Sequence, residues 1–316
     1  MLINTIKELN IVMSEVIDFL MKTKKSDGTF AVLHPITKTD NVKTSEEISV
    51  MLTNDVGSYS NGDVIAAGTS VDSIVRKLLQ VQIPPSYTAP TASISVTAGT
   101  SAGSYEVGTT ASPSFSGAFT KNDAGALSSI VIKKNDVEVV TSTTSPVAHS
   151  DSFTIDGTVK FKAVATYAEG TIKQDNFGED YPSGHITAGS TTSSEITYSG
   201  YRKYFWGTDN VTTPAASSAD VRALAESSTK AAAAGTKFNV SVKKNQTRAT
   251  FAYPATLRDV SSVKYVEFNN DESKNFFTKT TVNVEGANGH TAIQYKVYTY
   301  IPAQPFPSDM TFAVTI

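Results

Sequence analysis

The sequence predicts a mainly β chain, led by one helix and a small α+β adaptor and completed by two β-sandwich-like domains. Three observations predict it. Only 18% of the 316 residues are charged, against roughly a quarter in an ordinary soluble domain, so Ser and Thr must cover the surface. Thr is β-branched and sits well on a pleated sheet, whereas Ser and Thr compete for the backbone inside helices. Short runs of alternating apolar and polar residues, separated by turn residues, recur through the middle and end of the chain. Helical periodicity is confined to a few segments.

The length suggests two or three compact units. A formal net charge of −3 gives no clustered cation with which to displace counterions from phosphate, so nucleic acid is not an expected partner. The chain holds no cysteine, which excludes disulfide staples and thiolate metal sites and leaves stability to burial and assembly. No cofactor is implied. No basic residue precedes the first apolar cluster, so the start does not read as a signal peptide. Lys7, Glu8, Glu15 and Asp18 interrupt that cluster, and membrane insertion is not expected. Assembly in a cytoplasm follows as the expectation.

Residues 1–23 carry the clearest helical period, within an N-terminal segment assigned as 1–25. Leu2, Ile6, Leu9, Met13, Val16 and Leu20 alternate spacings of four and three, the seam of a coiled coil. Val12, Ile17 and Phe19 widen the apolar face, which favours more than two strands, or else packing against the chain's own domain. Residues 26–82 read as the α+β adaptor. Thr29–Leu33 and Ile48–Leu52 are its expected strands, Asn61-Gly62 its turn. Thr69 or Ser70 caps a helix whose Val71, Ile74, Val75, Leu78 and Leu79 should cover those strands.

Prolines 84, 85 and 90 break periodicity over 83–90 and predict a semi-rigid linker. From 91 to 197 come six or seven short strands at sandwich-like intervals, among them Ser129–Ile132 and Val159–Tyr167, with turns at Asn135-Asp136 and Asp156-Gly157. They fit a generic immunoglobulin-like β-sandwich, whose residues 176–194 read as a long loop or exit. Residues 198–316 form the C-terminal β-rich domain. It opens on Tyr198, Tyr201, Tyr204, Phe205 and Trp206, continues with a helix over 218–234 on an apolar face of Val221, Leu224 and Ala225, and carries strands at 237–242, 248–253, 277–284, 291–300 and 311–316. Asn288-Gly289 is a hairpin signal.

This order of parts resembles the virion appendage proteins, head or tail fibres, of tailed bacteriophages, including the crAss-like group. Leu33-His34-Pro35-Ile36-Thr37-Lys38-Thr39-Asp40-Asn41-Val42 resembles a segment near the start of many phage fibres. Residues 91–170, with Glu106-Val107-Gly108-Thr109-Thr110 and Lys121-Asn122-Asp123-Ala124-Gly125, are similar to immunoglobulin-like repeats of virion proteins. Gly200-Tyr201-Arg202-Lys203-Tyr204-Phe205-Trp206-Gly207, Ala252-Tyr253-Pro254-Ala255 and Val282-Asn283-Val284 resemble C-terminal domains of such appendages. The resemblance implies a structural, non-enzymatic protein of the virion, a homotrimer attached through its N-terminus to capsid, collar or tail components, with a host cell-surface glycan as a further partner.

Chemistry-bearing motifs are sparse. His34, His149, His185 and His290 share no ligand spacing, and neither a phosphate loop nor a nucleophile elbow occurs. A polysaccharide depolymerase would need two facing carboxylates. Asp175, Glu179 and Asp180, and Asp271-Glu272, are the densest acidic clusters, but they sit among turn residues. The aromatic run offers the other candidate: Tyr201, Arg202, Tyr204 and Trp206 form either a ligand platform or part of a core, since Arg202, Tyr204 and Trp206 share one side of a strand.

Overall fold

Strands make up most of the ordered structure, as the Thr-rich alternating runs require. The computed structural model describes residues 21–24, 30–33, 43–50, 57–268 and 271–316, the first two stretches by backbone alone. These residues fall into two units. One holds the described residues up to Ser86 together with Ile172–His185; the other holds Tyr87–Thr171 and Ile186–Ile316. The division falls within the proline-rich stretch.

In the first unit, β1 (Met21–Lys24) pairs antiparallel with β2 (Phe30–Leu33). The seam Leu2, Ile6, Leu9, Met13, Val16 and Leu20 lies outside the described residues, as does the segment from His34 to Val42. The helix expected through residue 23 does not take in 21–23, which are extended: the Phe30–Leu33 run supplies their backbone partners, and β-branched Thr23 suits a strand. β3 (Ile48–Ser49) pairs with β4 (Val64–Ile65). α1 (Val71–Leu79) starts where the sequence places it, at Ser70, whose hydroxyl accepts from the Ser73 amide at 3.2 Å. Its apolar face departs from expectation, because none of the nine residues is buried. Strands of two residues offer too little surface to cover it.

Nine strands follow in the second unit: β5 (Thr91–Ala98), β6 (Gly103–Glu106), β7 (Thr110–Ala111), β8 (Ser114–Thr120), β9 (Leu127–Lys134), β10 (Val137–Ser142), β11 (Val147–Ser150), β12 (Phe153–Thr154) and β13 (Thr158–Tyr167). The hairpin of β14 (Lys173–Gln174) and β15 (Asp180–Tyr181) belongs to the first unit, and then β16 (Gly189–Thr192) and β17 (Ile196–Tyr201) return to the second. One sheet runs β10-β9-β13-β17-β6, with β16 beside β13; another runs β11-β8-β5. Their inner faces share a core of Ile94, Phe115, Ile130, Ile132, Phe161 and Tyr198 with their neighbours. Period-2 alternation sets this arrangement. Phe161, Ala163 and Ala165 point inward along β13, while Lys160 and Lys162 stay outside. Each fully buried Ile or Phe contributes roughly 1.5–3 kcal/mol. Asn135 and Asp136 both take positive φ in a two-residue turn between β9 and β10.

Two expectations need correcting here. Residues 176–194 are not one loop, since they contain β15 and β16. The domain boundary expected at 197/198 cuts through β17, and Tyr198 is a buried residue of the first β assembly rather than the start of the next. Its side chain alternates inward with Ile196, and its hydroxyl donates to the Thr100 carbonyl at 2.8 Å.

The second β assembly comprises β18 (Phe205–Asp209), α2 (Ser218–Arg222), β19 (Glu226–Ser227), β20 (Lys237–Val242), β21 (Arg248–Pro254), β22 (Ser262–Tyr265), β23 (Asp271–Glu272), β24 (Thr278–Val284), β25 (Ile293–Tyr300) and β26 (Met310–Thr315). Its sheets run β19-β18-β21-β25-β24 and β20-β26-β22-β23. Every residue of β21 is buried, because both faces of that sheet are covered. Phe251, Tyr253 and Tyr298 meet Val240, Phe312 and Val314 of the other sheet. Ala252, Tyr295 and Val297 meet Val221 and Leu224 of α2 and its following turn. α2 begins at a capping box formed by Ser217 and Asp220 but ends after five residues, not at 234. Ser227, Ser228 and Thr229 favour other geometry, and the Tyr204 carbonyl takes the Ser228 amide at 2.9 Å.

Candidate functional site

Of the two readings the sequence leaves for the aromatic run, ligand platform or core, Tyr204, Phe205 and Trp206 take the packed one. Tyr204 is buried and stacks on Trp206 at 5.3 Å, and both lie against Phe238. Phe205 points to the opposite face, beneath α2. Tyr204 and Trp206 share one side and Phe205 takes the other, but residues 202–204 lie between strands, so the single strand expected to carry Arg202 with them is broken, and the Phe205-Trp206 stretch packs on both faces. Arg202 donates through Nη2 to the Thr291 carbonyl at 2.7 Å. Tyr201 is half-buried at the end of β17, where burial and then the charge of Glu106 push its phenol up.

Tyr201, Arg202 and Lys203 instead mark an elbow between the two β assemblies of the second unit. Its centre is Glu106, a buried carboxylate at the end of β6. Arg222 Nη1 donates to Glu106 Oε1 at 2.6 Å and to the Glu285 carbonyl at 2.8 Å, while Lys203 Nζ lies 3.5 Å from Glu106 Oε2. Backbone interlocks around this cluster. The Ala287 amide donates to the Val107 carbonyl at 2.8 Å, and Asn288 Nδ2 donates to the Gly108 carbonyl at 3.1 Å. Asn288-Gly289 does close the β24–β25 hairpin, with both residues at positive φ; its tip is what grips the first assembly. Sequence reasoning had no signal for Glu106 or Arg222, which lie 116 positions apart.

The acidic clusters have local partners. Asp175 accepts from Gln82 Nε2 at 2.6 Å and from the amides of Phe177 and Glu179 at 2.8 and 3.0 Å. Burial pushes its carboxyl up, but these donors and nearby Lys77 hold it below the usual range. Glu179 pairs with Lys77. Glu272 Oε1 accepts the amides of Val263 and Lys274 at 2.9 and 3.0 Å. Each of these two carboxylates, Asp175 and Glu272, caps a turn. His34 lies outside the described residues, and among the described residues no three His, Asp or Glu side chains gather as a metal site would require. No described helix is long and apolar enough to cross a membrane.

An exposed aromatic shelf lies elsewhere on the second assembly. Phe276, 54% exposed, stacks on Tyr300 with ring centroids 5.4 Å apart and planes at 27°. Phe268, 65% exposed, stacks on Tyr265 at 5.6 Å and 22°. Beneath, Tyr300 meets Phe277, Phe306 and Phe312 edge-on or tilted at 5.5–6.0 Å. The outer rings are therefore held by a buried aromatic stack. Two shallow hollows of about 180 and 210 Å³ flank the Phe276–Tyr300 pair. Sequence reasoning missed this shelf, because its residues are scattered from 265 to 312.

No known protein resolves the choice among functions: no family model, curated protein or solved structure matches the chain.

Proposed function

We propose that the chain is a structural, non-enzymatic appendage of a tailed bacteriophage particle, a head or tail fibre. Its N-terminal region self-associates as a trimer and attaches to other virion proteins, and its β assemblies project outward. The observation that carries this reading is the apolar surface of the first unit. Leu79 is 79% and Val81 72% exposed, and Ile48, Val64, Val75, Leu78 and Ile83 are open as well. A solitary chain holds that surface in water, whereas a homo-oligomer buries it. The coiled-coil seam read at Leu2 to Leu20 belongs to the same end of the chain.

Two further features support the reading. The first β assembly, with two sheets of short strands facing across one core, suits an immunoglobulin-like spacer module; the second suits a β-sandwich. The elbow joins them through a partly buried ion pair and backbone hydrogen bonds rather than a loose tether, which suits a rod that must hold its direction. The clustered carboxylates Asp175 and Glu272, committed to turns, favour a passive role over hydrolysis.

Light scattering on the purified chain tests the assembly. A trimer is expected, and Leu9→Asp with Leu79→Ser should shift it toward monomer. A strict monomer at micromolar concentration would remove the main support. Peptide mass analysis of purified particles of the phage that encodes the chain tests the location, and its absence from them would end the virion assignment.

A further inference from the structure

We infer that the first β assembly bears tension along the chain, and that the parallel pair β6–β17 is the clasp that resists it. This goes beyond the appendage role, and it is a property of one chain whatever its oligomeric state.

The chain enters and leaves this assembly at opposite ends. At entry, the Thr88 amide donates to Asp123 Oδ2 at 2.6 Å, and the Thr88 carbonyl accepts from the Asp123 amide at 3.2 Å. That turn lies beside the end of β13, since the Gly125 amide donates to the Ala168 carbonyl at 2.8 Å. At exit, the Gly200 amide donates to the Gly157 carbonyl at 2.7 Å, just before β13 begins. The 10 residues of β13 span about 33 Å, so tension between residues 89 and 202 runs along the strands.

What that tension meets depends on strand direction. β6 and β17 run parallel, in register from Gly103↔Tyr198 to Glu106↔Tyr201. The start of β6, toward the entry, and the end of β17, toward the exit, therefore sit at opposite ends of the pair, and pulling on them slides one strand past the other. Hydrogen bonds of a sliding pair are loaded together and must give way together, whereas strands drawn apart from one end lose their bonds one by one. β5 pairs with β8 instead. Its departure releases only itself and residues 99–102 before the chain tightens on β6.

The pair is reinforced beyond its register. The Val107 amide donates to the Tyr201 carbonyl at 2.9 Å, and the Tyr198 hydroxyl reaches the Thr100 carbonyl at 2.8 Å. Tyr198 is fully buried and stands nearly perpendicular to Phe153 and Phe161, with ring centroids 5.5 and 6.2 Å away, so sliding β17 also drags a large ring through the core. Past the last register pair, Lys203 and Arg222 hold Glu106 from the far side of the elbow.

The test uses the full chain, which holds no cysteine, so two introduced cysteines place the handles for magnetic tweezers. Ala89→Cys with Thr212→Cys, both at exposed positions, loads β6 and β17 along their length. Val137→Cys with Thr212→Cys, from exposed Val137 on β10, draws on β17 across the sheet. At one fixed force the first arrangement should hold about tenfold longer or more, the equivalent of at least one further hydrogen bond loaded with the rest. The Gly200 amide points to Gly157, so by alternation the Ser199 amide faces β6. Ser199→Pro removes it and should shorten the lifetime in the first arrangement about tenfold, whereas Ile130→Val, a core change on β9, should alter it far less. If Ser199→Pro fails to fold, the two pulling directions decide alone. The inference is overturned if both directions give equal lifetimes, or if folded Ser199→Pro keeps the parent's lifetime. It is also overturned if the long dwell ends in a lengthening of residues 91–102 only, which would make β5–β8 the clasp.

Discussion

Arg222 donates to Glu106 at 2.6 Å across the elbow, so the last turn of α2 holds a carboxylate that belongs to the other β assembly. Glu106 is 9% exposed, and without Arg222 its buried charge keeps only Lys203, 3.5 Å away, as a partner. Glu106→Gln and Arg222→Met are each expected to lower the free energy of unfolding by roughly 1.5–3 kcal/mol. Arg222→Met also strips a donor from the Glu285 carbonyl. Because the two side chains act as one unit, the double substitution should cost less than the sum. Denaturant unfolding of all four proteins measures this; simple additivity would show that the pair does not couple the assemblies.

Gly108 and Gly289 both adopt positive φ, +94° and +71°, but only one is enclosed. A Cβ on Gly108 would lie 2.1 Å from the Ala287 carbonyl oxygen and 2.5 Å from His290 Cβ, whereas Gly289 faces open space. Gly289→Ala should cost roughly 1–2 kcal/mol, the backbone penalty alone. Gly108→Ala should cost more than that, because the hairpin tip must also move away from Val107 and Gly108. Comparing the two denaturation midpoints separates strain from steric exclusion, and equal losses would mean that the elbow yields without resistance.

Much of the strand pattern is legible because its cause is local. Lys237–Val242 alternates in sequence and alternates in burial, and Asn288-Gly289 carries its turn geometry in two residues. What escapes the sequence depends on partners far along the chain. The Trp206 strand reads as one-sided until α2, a dozen residues later, covers Phe205. Residues 223–234 are rich in helix-forming alanine, yet Ser228 is committed to Tyr204 and the helix ends. The shelf is invisible for the same reason: Tyr265, Phe276 and Tyr300 meet only after β22 and β25 are placed in different sheets.

Tyr253 and Tyr298 form a buried polar pair whose members are not equivalent. Tyr298 Oη accepts from the Val260 amide at 3.2 Å and from Tyr253 Oη at 3.4 Å, while Tyr253 also reaches the Arg258 carbonyl at 3.2 Å. Tyr298→Phe removes the acceptor 3.2 Å from the Val260 N–H and leaves that amide only the neighbouring Tyr253 hydroxyl, and should cost about 1–3 kcal/mol; Tyr253→Phe removes a donor from a carbonyl and should cost about 0.5–1.5 kcal/mol. Amide exchange at Val260 should accelerate more in Tyr298→Phe than in Tyr253→Phe. Equal acceleration in both would show that the loop, not this acceptor, protects it.

Asp259 sits between two lysines, with Oδ2 2.7 Å from Lys279 Nζ and Oδ1 2.9 Å from Lys296 Nζ. Hydrogen bonds from Lys279 and then Lys296 hold its carboxyl down to about 2, against an ordinary value of 3.8. A carboxyl depressed in the folded state binds its proton first in the unfolded chain, so its contribution is complete above about 3.8 and disappears as pH falls through about 2. Asp259→Asn removes that contribution. The stability difference between the parent and Asp259→Asn should therefore be level at neutral pH, decline below pH 4, and vanish near the foot of the titration. The pair is exposed, so added salt should shrink the difference at every pH. Urea unfolding across that acid range tests both trends, and a difference that persists at the lowest pH would assign the effect to packing of the lysine stems instead of charge.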